Sequence, residues 1–139
     1  VLRRLAADLF FPVTVLGVPT IREADGLAMS SRNRYLSAED RARALTIPAA
    51  LTKAVELFQR GERHAGTLRD TVADALPATA QIDYVVVSDA DALVPFANDA
   101  RVGERALVAL ALRLGSTRLI DNVVLGEDAA PISNLARTS

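Results

Sequence analysis

The sequence predicts an α+β fold, and three observations predict it. Residues 1–18 read as a short amphipathic helix feeding an apolar, β-rich run, the unit from which parallel α/β sheets are built. Residues 38–76 carry helical periodicity interrupted by Pro48 and Gly61. The last third holds three strand-like stretches, two of them separated by a connection short enough for a hairpin. At 139 residues the chain is about one ordinary domain, long enough to bury a core.

In order along the chain, Val1, Leu2, Leu5 and Leu9 recur at helical spacing with Arg3, Arg4 and Asp8 opposite, which predicts a helix over residues 1–10. Residues 11–18 follow as a strand ended by Gly17 and Pro19. One strand is not a sheet, and position 1 is Val rather than Met, so further chain is expected ahead of it. Residues 19–36 have no sustained period and are rich in Gly, Ser, Asn, Asp and Arg. They read as a long, functional loop, ordered by Ile21, Leu27, Met29, Tyr35 and Leu36. Ser37, with Glu39 and Asp40 after it, is a helix start of the capping type.

A helix is then predicted over residues 38–60, with Leu45, Leu51, Ala54, Val55 and Phe58 on one face, Pro48 kinking or restarting it, and Gly61 ending it. A second helix spans 67–76 and stops at Pro77. Strands are predicted over 82–88, 106–114 and 118–125, the last two joined by Gly115-Ser116-Thr117, with strand order left open. Residues 126–139 read as a tail, apart from what Ile132 and Leu135 can bury.

Composition removes several classes of function. Sixteen basic residues against 17 acidic ones leave a net charge of −1, without the global field that draws a protein to nucleic acid or an anionic membrane. No apolar run reaches the roughly 18 to 20 residues of a membrane helix, and residues 1–11 lack the pattern of a secretory leader. Without cysteine there is no disulfide, thiol catalysis or Cys-based zinc, which fits a reducing cytoplasm. Charge is nevertheless uneven: residues 1–43 carry seven Arg against five acids, and residues 81–128 four against eight, so anion chemistry is expected near the front.

The most informative tetrapeptide is Met29-Ser30-Ser31-Arg32. Two adjacent hydroxyls, their backbone N–H groups and a guanidinium can together supply several donors to a polyphosphate, with Arg22 and Arg34 adding positive potential. The alternative is a polar turn. Asp83, Asp89, Asp91, Asp99 and Asp121 follow no metal-ligand spacing, and no metal site is expected. Asp121-Asn122, inside an apolar strand, is expected on an open face or capping a turn. Arg113 and Arg118 flank the hairpin, either facing a ligand cleft or, by preference, as solvated strand ends, and His64 reads as a linker residue.

The run from Gly17 through Arg22, Asp25-Gly26, Met29-Ser30-Ser31-Arg32 and Asn33 to Leu36 closely resembles the corresponding stretch of the pantothenate synthetase (pantoate–β-alanine ligase) family. Leu114-Gly115-Ser116-Thr117-Arg118-Leu119-Ile120-Asp121-Asn122 resembles that family's C-terminal hairpin. The resemblance implies the end of a Rossmann-like α/β domain (one helix, one strand; residues 1–20), followed by a nucleotide-binding joining loop (21–36). A small domain of helices and a three-stranded antiparallel sheet (37–125) and a tail (126–139) complete it. The family's His-x-Gly-His-type motif and most of its pantoate site are not in this sequence, and the chain alone is therefore expected to be inactive.

In that family ATP, with Mg²⁺, activates pantoate as an adenylate that β-alanine then attacks. The resemblance assigns Ser30, Ser31 and Arg32 to the triphosphate, as this family's counterpart of the K-M-S-K-S loop of class I aminoacyl-tRNA synthetases. It assigns Met29 to packing near the nucleotide and Ile21 to a backbone contact with adenine. It further implies a cytoplasmic enzyme, a homodimer when complete, partnered by an N-terminal Rossmann half, with no tightly bound cofactor, nucleic acid or membrane. Two other classes stay open: a stand-alone α+β domain that binds a nucleotide or partner without catalysis, and a related adenylate-forming transferase.

Overall fold

Alternation along the last strand sets the inner face of the sheet. In β3 (Thr117–Leu125) Thr117, Leu119, Asp121, Val123 and Leu125 are buried while the residues between them face outward, the period of two a pleated strand imposes. β2 (Ala106–Leu114) pairs with it in antiparallel register from Ala106 with Leu125 to Leu114 with Thr117. The two-residue turn between them puts Gly115 at its first position with φ +55°, a conformation that favours glycine. β1 (Gln81–Ser88) pairs antiparallel on the other edge of β2, with an irregularity between Ile82 and Tyr84, so the order is β1-β2-β3. The sheet and the three strand positions are as the sequence predicted, and the strand order is settled. The computed structural model describes residues 2–132.

The helices are α1 (Leu2–Asp8), α2 (Ala38–Ala44), α3 (Thr46–Gln59) and α4 (Ala65–Ala75). Ser37 caps α2 as expected, its Oγ accepting from the Asp40 N–H at 3.0 Å. The single helix expected over 38–60 is two. Pro48 has no N–H to give the Ala44 carbonyl and its ring would collide with it, so the chain breaks at Leu45 and restarts with Pro48 in the first turn of α3, where a missing N–H costs nothing. Gly61 ends α3 with φ +99° and its N–H on the Phe58 carbonyl.

The core lies between α3, α4 and the inner sheet face. Ile47, Leu51, Ala54, Val55 and Phe58 of α3 and Leu68 and Val72 of α4 meet Val87, Val108, Leu110, Leu112, Val123 and Leu125. Fully burying a side chain such as Leu51 or Leu110 contributes about 1.5 to 3 kcal/mol. Leu45, expected on that face, is only half-buried at the α2–α3 break.

The strand expected over residues 11–18 does not form. These residues make no ladder; they run as irregular chain, with the Val13 N–H on the Phe11 carbonyl and the Arg3 Nε on the Val15 carbonyl. A strand is held by a neighbour's N–H and C=O groups, and no described strand of this chain lies beside it. Phe10, Leu16 and Val18 are left largely in solvent, at 91%, 81% and 78% exposure. Part of the predicted tail is packed: Pro131 is buried, and the Ile132 N–H meets Thr52 Oγ1 at 3.3 Å. Leu135 lies outside the described residues, as does Val1.

Candidate functional site

The loop before α2 folds on itself. Arg22 and Ala28 pair as an antiparallel bridge, the Met29 N–H reaching the Ile21 carbonyl (2.9 Å) and the Glu23 N–H the Leu27 carbonyl (2.8 Å). Gly26, with φ +89°, closes the turn and lets Leu27 point into the core. A short 3₁₀ helix (Ser31–Tyr35) follows. Ser30 is its N-cap, accepting from the Arg32 N–H at 3.2 Å.

Several side chains stitch this loop to α2 and to itself. Asn33 Nδ2 donates to Glu23 Oε1 (2.5 Å) and to the Ala28 carbonyl (3.0 Å). Arg41 Nη2 donates to Glu23 Oε2 (2.7 Å) and Asp25 Oδ2 (2.5 Å). Arg22 makes a two-toothed pair with Asp121, Nη1 to Oδ2 at 2.7 Å and Nη2 to Oδ1 at 3.0 Å.

Met29, Ser30 and Arg32 come together on one cleft of about 260 Å³, whose floor is β3 and whose wall includes Thr20 and Asn122. Ser31 is exposed at the start of the 3₁₀ helix and does not line that cleft. Ile21 lies on a second cleft of about 470 Å³ lined by the same loop; Thr20 and Asn122 border both. The Ile21 side chain is exposed and its carbonyl accepts from the Met29 N–H, while its own N–H makes no backbone hydrogen bond among the described residues.

The distribution of charge partners separates these residues further. Among the described residues, Arg32 and Lys53 are the cationic side chains with no carboxylate or other acceptor in the protein. Lys53 is on the solvent side of α3, whereas Arg32 faces the cleft. Of the two arginines expected to add positive potential, Arg22 does not, because Asp121 neutralises it. Arg34 instead turns its guanidinium over the Tyr35 ring, 4.8 Å from its centre.

Asp121 also departs from expectation. Rather than standing on an open face or capping a turn, it is on the buried face of β3, 5% exposed. The signal was present in the sequence, since a period of two puts Asp121 beside Leu119 and Val123, and a buried carboxylate needs a basic partner. Arg118 donates from Nε to Asp83 Oδ2 at 2.6 Å, and Arg113, its cross-strand neighbour, stands 3.9 Å from Asp83 Oδ1. That shared carboxylate offsets the repulsion of two like charges placed opposite each other. His64 precedes α4 and sits 3.2 Å from Arg101 Nη1, remote from both clefts.

This chain is similar to several proteins of known family. A pantothenate synthetase from Moorella thermoacetica is 46% identical over 127 residues, which is 90% of this chain and 44% of the relative. The crystal structure of pantothenate synthetase from Thermus thermophilus superposes with a TM-score of 0.78 at 39% identity, over 88% of this chain and 44% of that one. A pantoate-beta-alanine ligase from Francisella tularensis, complexed with beta-gamma ATP and beta-alanine, shares the fold at 23% identity with a TM-score of 0.51, over 93% of this chain and 40% of that one. This chain thus spans a little under half the length of the curated relative it matches. A family model described as pantoate-beta-alanine ligase matches residues 1–124, and the chain belongs to that family.

Proposed function

We propose that this chain is the C-terminal part of an ATP-dependent ligase that joins pantoate and β-alanine, and that its Met29–Arg32 segment handles the ATP triphosphate. The reading rests on family membership, on a relative complexed with beta-gamma ATP and beta-alanine, and on one observation in this chain. That observation is the guanidinium of Arg32, unpaired among the described residues, on a cleft it shares with Ser30 and Met29. An arginine without a carboxylate, held on an ordered loop, is arranged to take an anion rather than to stabilise the fold.

In the reaction, a pantoate carboxylate oxygen attacks the α-phosphorus of ATP, and the bond to the bridging oxygen breaks to release pyrophosphate, whose charge Mg²⁺ brought in with the nucleotide would help to neutralise. The β-alanine amine then attacks the acyl carbon of the pantoyl adenylate; AMP departs and a proton is lost from nitrogen. Negative charge builds on the leaving pyrophosphate in the first step only. Donors already aimed at those oxygens therefore lower that barrier and not the second. Arg32 supplies charge-assisted donation, Ser30 and Ser31 hydroxyl donation, Met29 packs near the nucleotide, and the Ile21 backbone meets adenine.

In this reading residues 1–20 close a Rossmann-like half, 21–36 join it to the small domain of 37–125, and 126–139 form a tail. The 139-residue chain alone does not turn over, because the family's histidine motif and most of its pantoate site belong to the other half. The complete enzyme works in the cytoplasm as a homodimer.

Pyrophosphate release by the complete ligase tests the assignment. Arg32→Ala is expected to lose about 2 to 4 kcal/mol of transition-state stabilisation, roughly 30- to 1000-fold in adenylate formation. Arg113→Ala, whose arginine pairs among the described residues with Asp83 alone, leaves that rate unchanged. Near-normal pyrophosphate release from Arg32→Ala at subsaturating ATP would overturn the reading.

A further inference from the structure

The Arg22–Asp121 pair joins residues 99 positions apart at the most buried ion pair of the described chain, with side-chain exposures of 16% and 2%. Every oxygen of that carboxylate is used. Oδ2 accepts from Arg22 Nη1 at 2.7 Å, and Oδ1 accepts from Arg22 Nη2 at 3.0 Å and from the Asn122 N–H at 2.8 Å. Arg22 Nη1 also donates to the Gly26 carbonyl at 3.0 Å, so one guanidinium grips both the turn of the 21–29 hairpin and the strand beneath it.

Two consequences converge on the cleft. The Ile21 carbonyl, one residue from Arg22, holds the Met29 N–H, and Met29 opens directly into Ser30, Ser31 and Arg32. The hairpin is thus the stalk of the anion loop, and its foot is clamped to β3. Asp121 also borders the cleft that Arg32 faces, so without Arg22 a bare carboxylate would stand in the wall of a site meant for phosphate.

Resting on the function proposed above, we infer that Arg22 and Asp121 are positioning residues for adenylate formation: their pairing fixes the Met29–Arg32 loop on β3 and cancels the Asp121 charge beside the bound polyphosphate. Neither residue touches the reacting atoms.

The test uses the complete ligase, with adenylate formation read from pyrophosphate release and the second step read from β-alanine attack on preformed pantoyl adenylate. Arg22→Ala is expected to raise the KM for ATP roughly 10- to 100-fold and to slow adenylate formation, with the second step within about twofold of wild type. The double variant Arg22→Ala, Asp121→Ala should recover at least about fivefold of the lost ATP KM, since it removes the carboxylate that the single variant leaves unpaired. A purely structural pair would make the double variant no better than the single one.

Arg22→Lys keeps the charge but not the two-toothed geometry, and Asp121→Asn keeps the shape but not the charge; both serve if Arg22→Ala does not fold. The first should slow adenylate formation roughly tenfold and the second should alter ATP KM less than Arg22→Lys does. Variants that lower the melting temperature while ATP KM and adenylate rate stay within about twofold of wild type overturn the inference, as does a double variant no better than Arg22→Ala. Arg32→Ala run in parallel separates the two claims. Impaired Arg32→Ala beside normal Arg22 variants sinks the positioning role alone, and normal Arg32→Ala sinks the reading on which it rests.

Discussion

Gly126 stands against the carbonyl of Glu104 so closely that a Cβ on it would lie 2.0 Å from that oxygen, and its φ is +83°. It is the first residue past β3, where the chain turns beside the segment leading into β2. Both the space and the backbone conformation exclude a side chain, so Gly126→Ala should destabilise the chain by on the order of 3 kcal/mol. Gly103→Ala is the control, because nothing lies within 4 Å of its Cβ position. Chemical denaturation of both variants measures the contrast; equal midpoints would contradict it.

Asp89 introduces an acid-sensitive turn. Its carboxylate accepts from the Ala92 N–H at 2.6 Å and the Asp91 N–H at 2.9 Å, and these bonds, Ala92 first, hold its pKa below the ordinary aspartate value. A lowered native pKa means the stabilisation is complete above the ordinary aspartate range and is lost as pH falls through the depressed value. Amide exchange at Ala92, corrected for the intrinsic effect of pH, should therefore accelerate on acidification. In Asp89→Asn that pH dependence should vanish, while the exchange of Leu110 should follow the same course in both proteins.

Residues 14–18 should exchange their amide hydrogens near the rate of an unstructured chain. Their N–H groups have no ladder partner among the described residues, in contrast to those of Val108 and Val123 inside the sheet. Hydrogen exchange on a sample shown to be monomeric decides it. Protection at Val15 and Leu16 equal to that at Val108 would mean that the segment has found a partner within the chain.

Ser30→Ala and Ser31→Ala should differ. Ser30 caps the 3₁₀ helix and lines the cleft, so its loss combines a missing cap with a missing donor, about 1 to 2 kcal/mol in adenylate formation. Ser31 is exposed and off the cleft wall, and its loss should cost about 1 kcal/mol or less. Single-turnover pyrophosphate release by the complete ligase ranks them, and a larger defect in Ser31→Ala would reverse the assignment.

Short-range physics made much of this chain legible from its residues. The β2 boundaries, the hairpin at Gly115, the Ser37 cap and the stop at Gly61 follow from a period of two, turn chemistry and capping, all of which act over a few residues. The family was legible as well, since the residue types of Met29–Arg32 and its flanks, and their order, carry the resemblance. Long-range contacts account for the remainder. Residues 11–18 have strand composition and no strand, because composition sets a preference while a ladder needs a neighbour. Arg22 and Arg32 are chemically alike and lie on one loop, and nothing local tells which is spent in the fold. Asp121 makes that choice from the far end of the chain. A charge becomes available to a ligand or is consumed by the protein according to what folding places within a few ångströms of it.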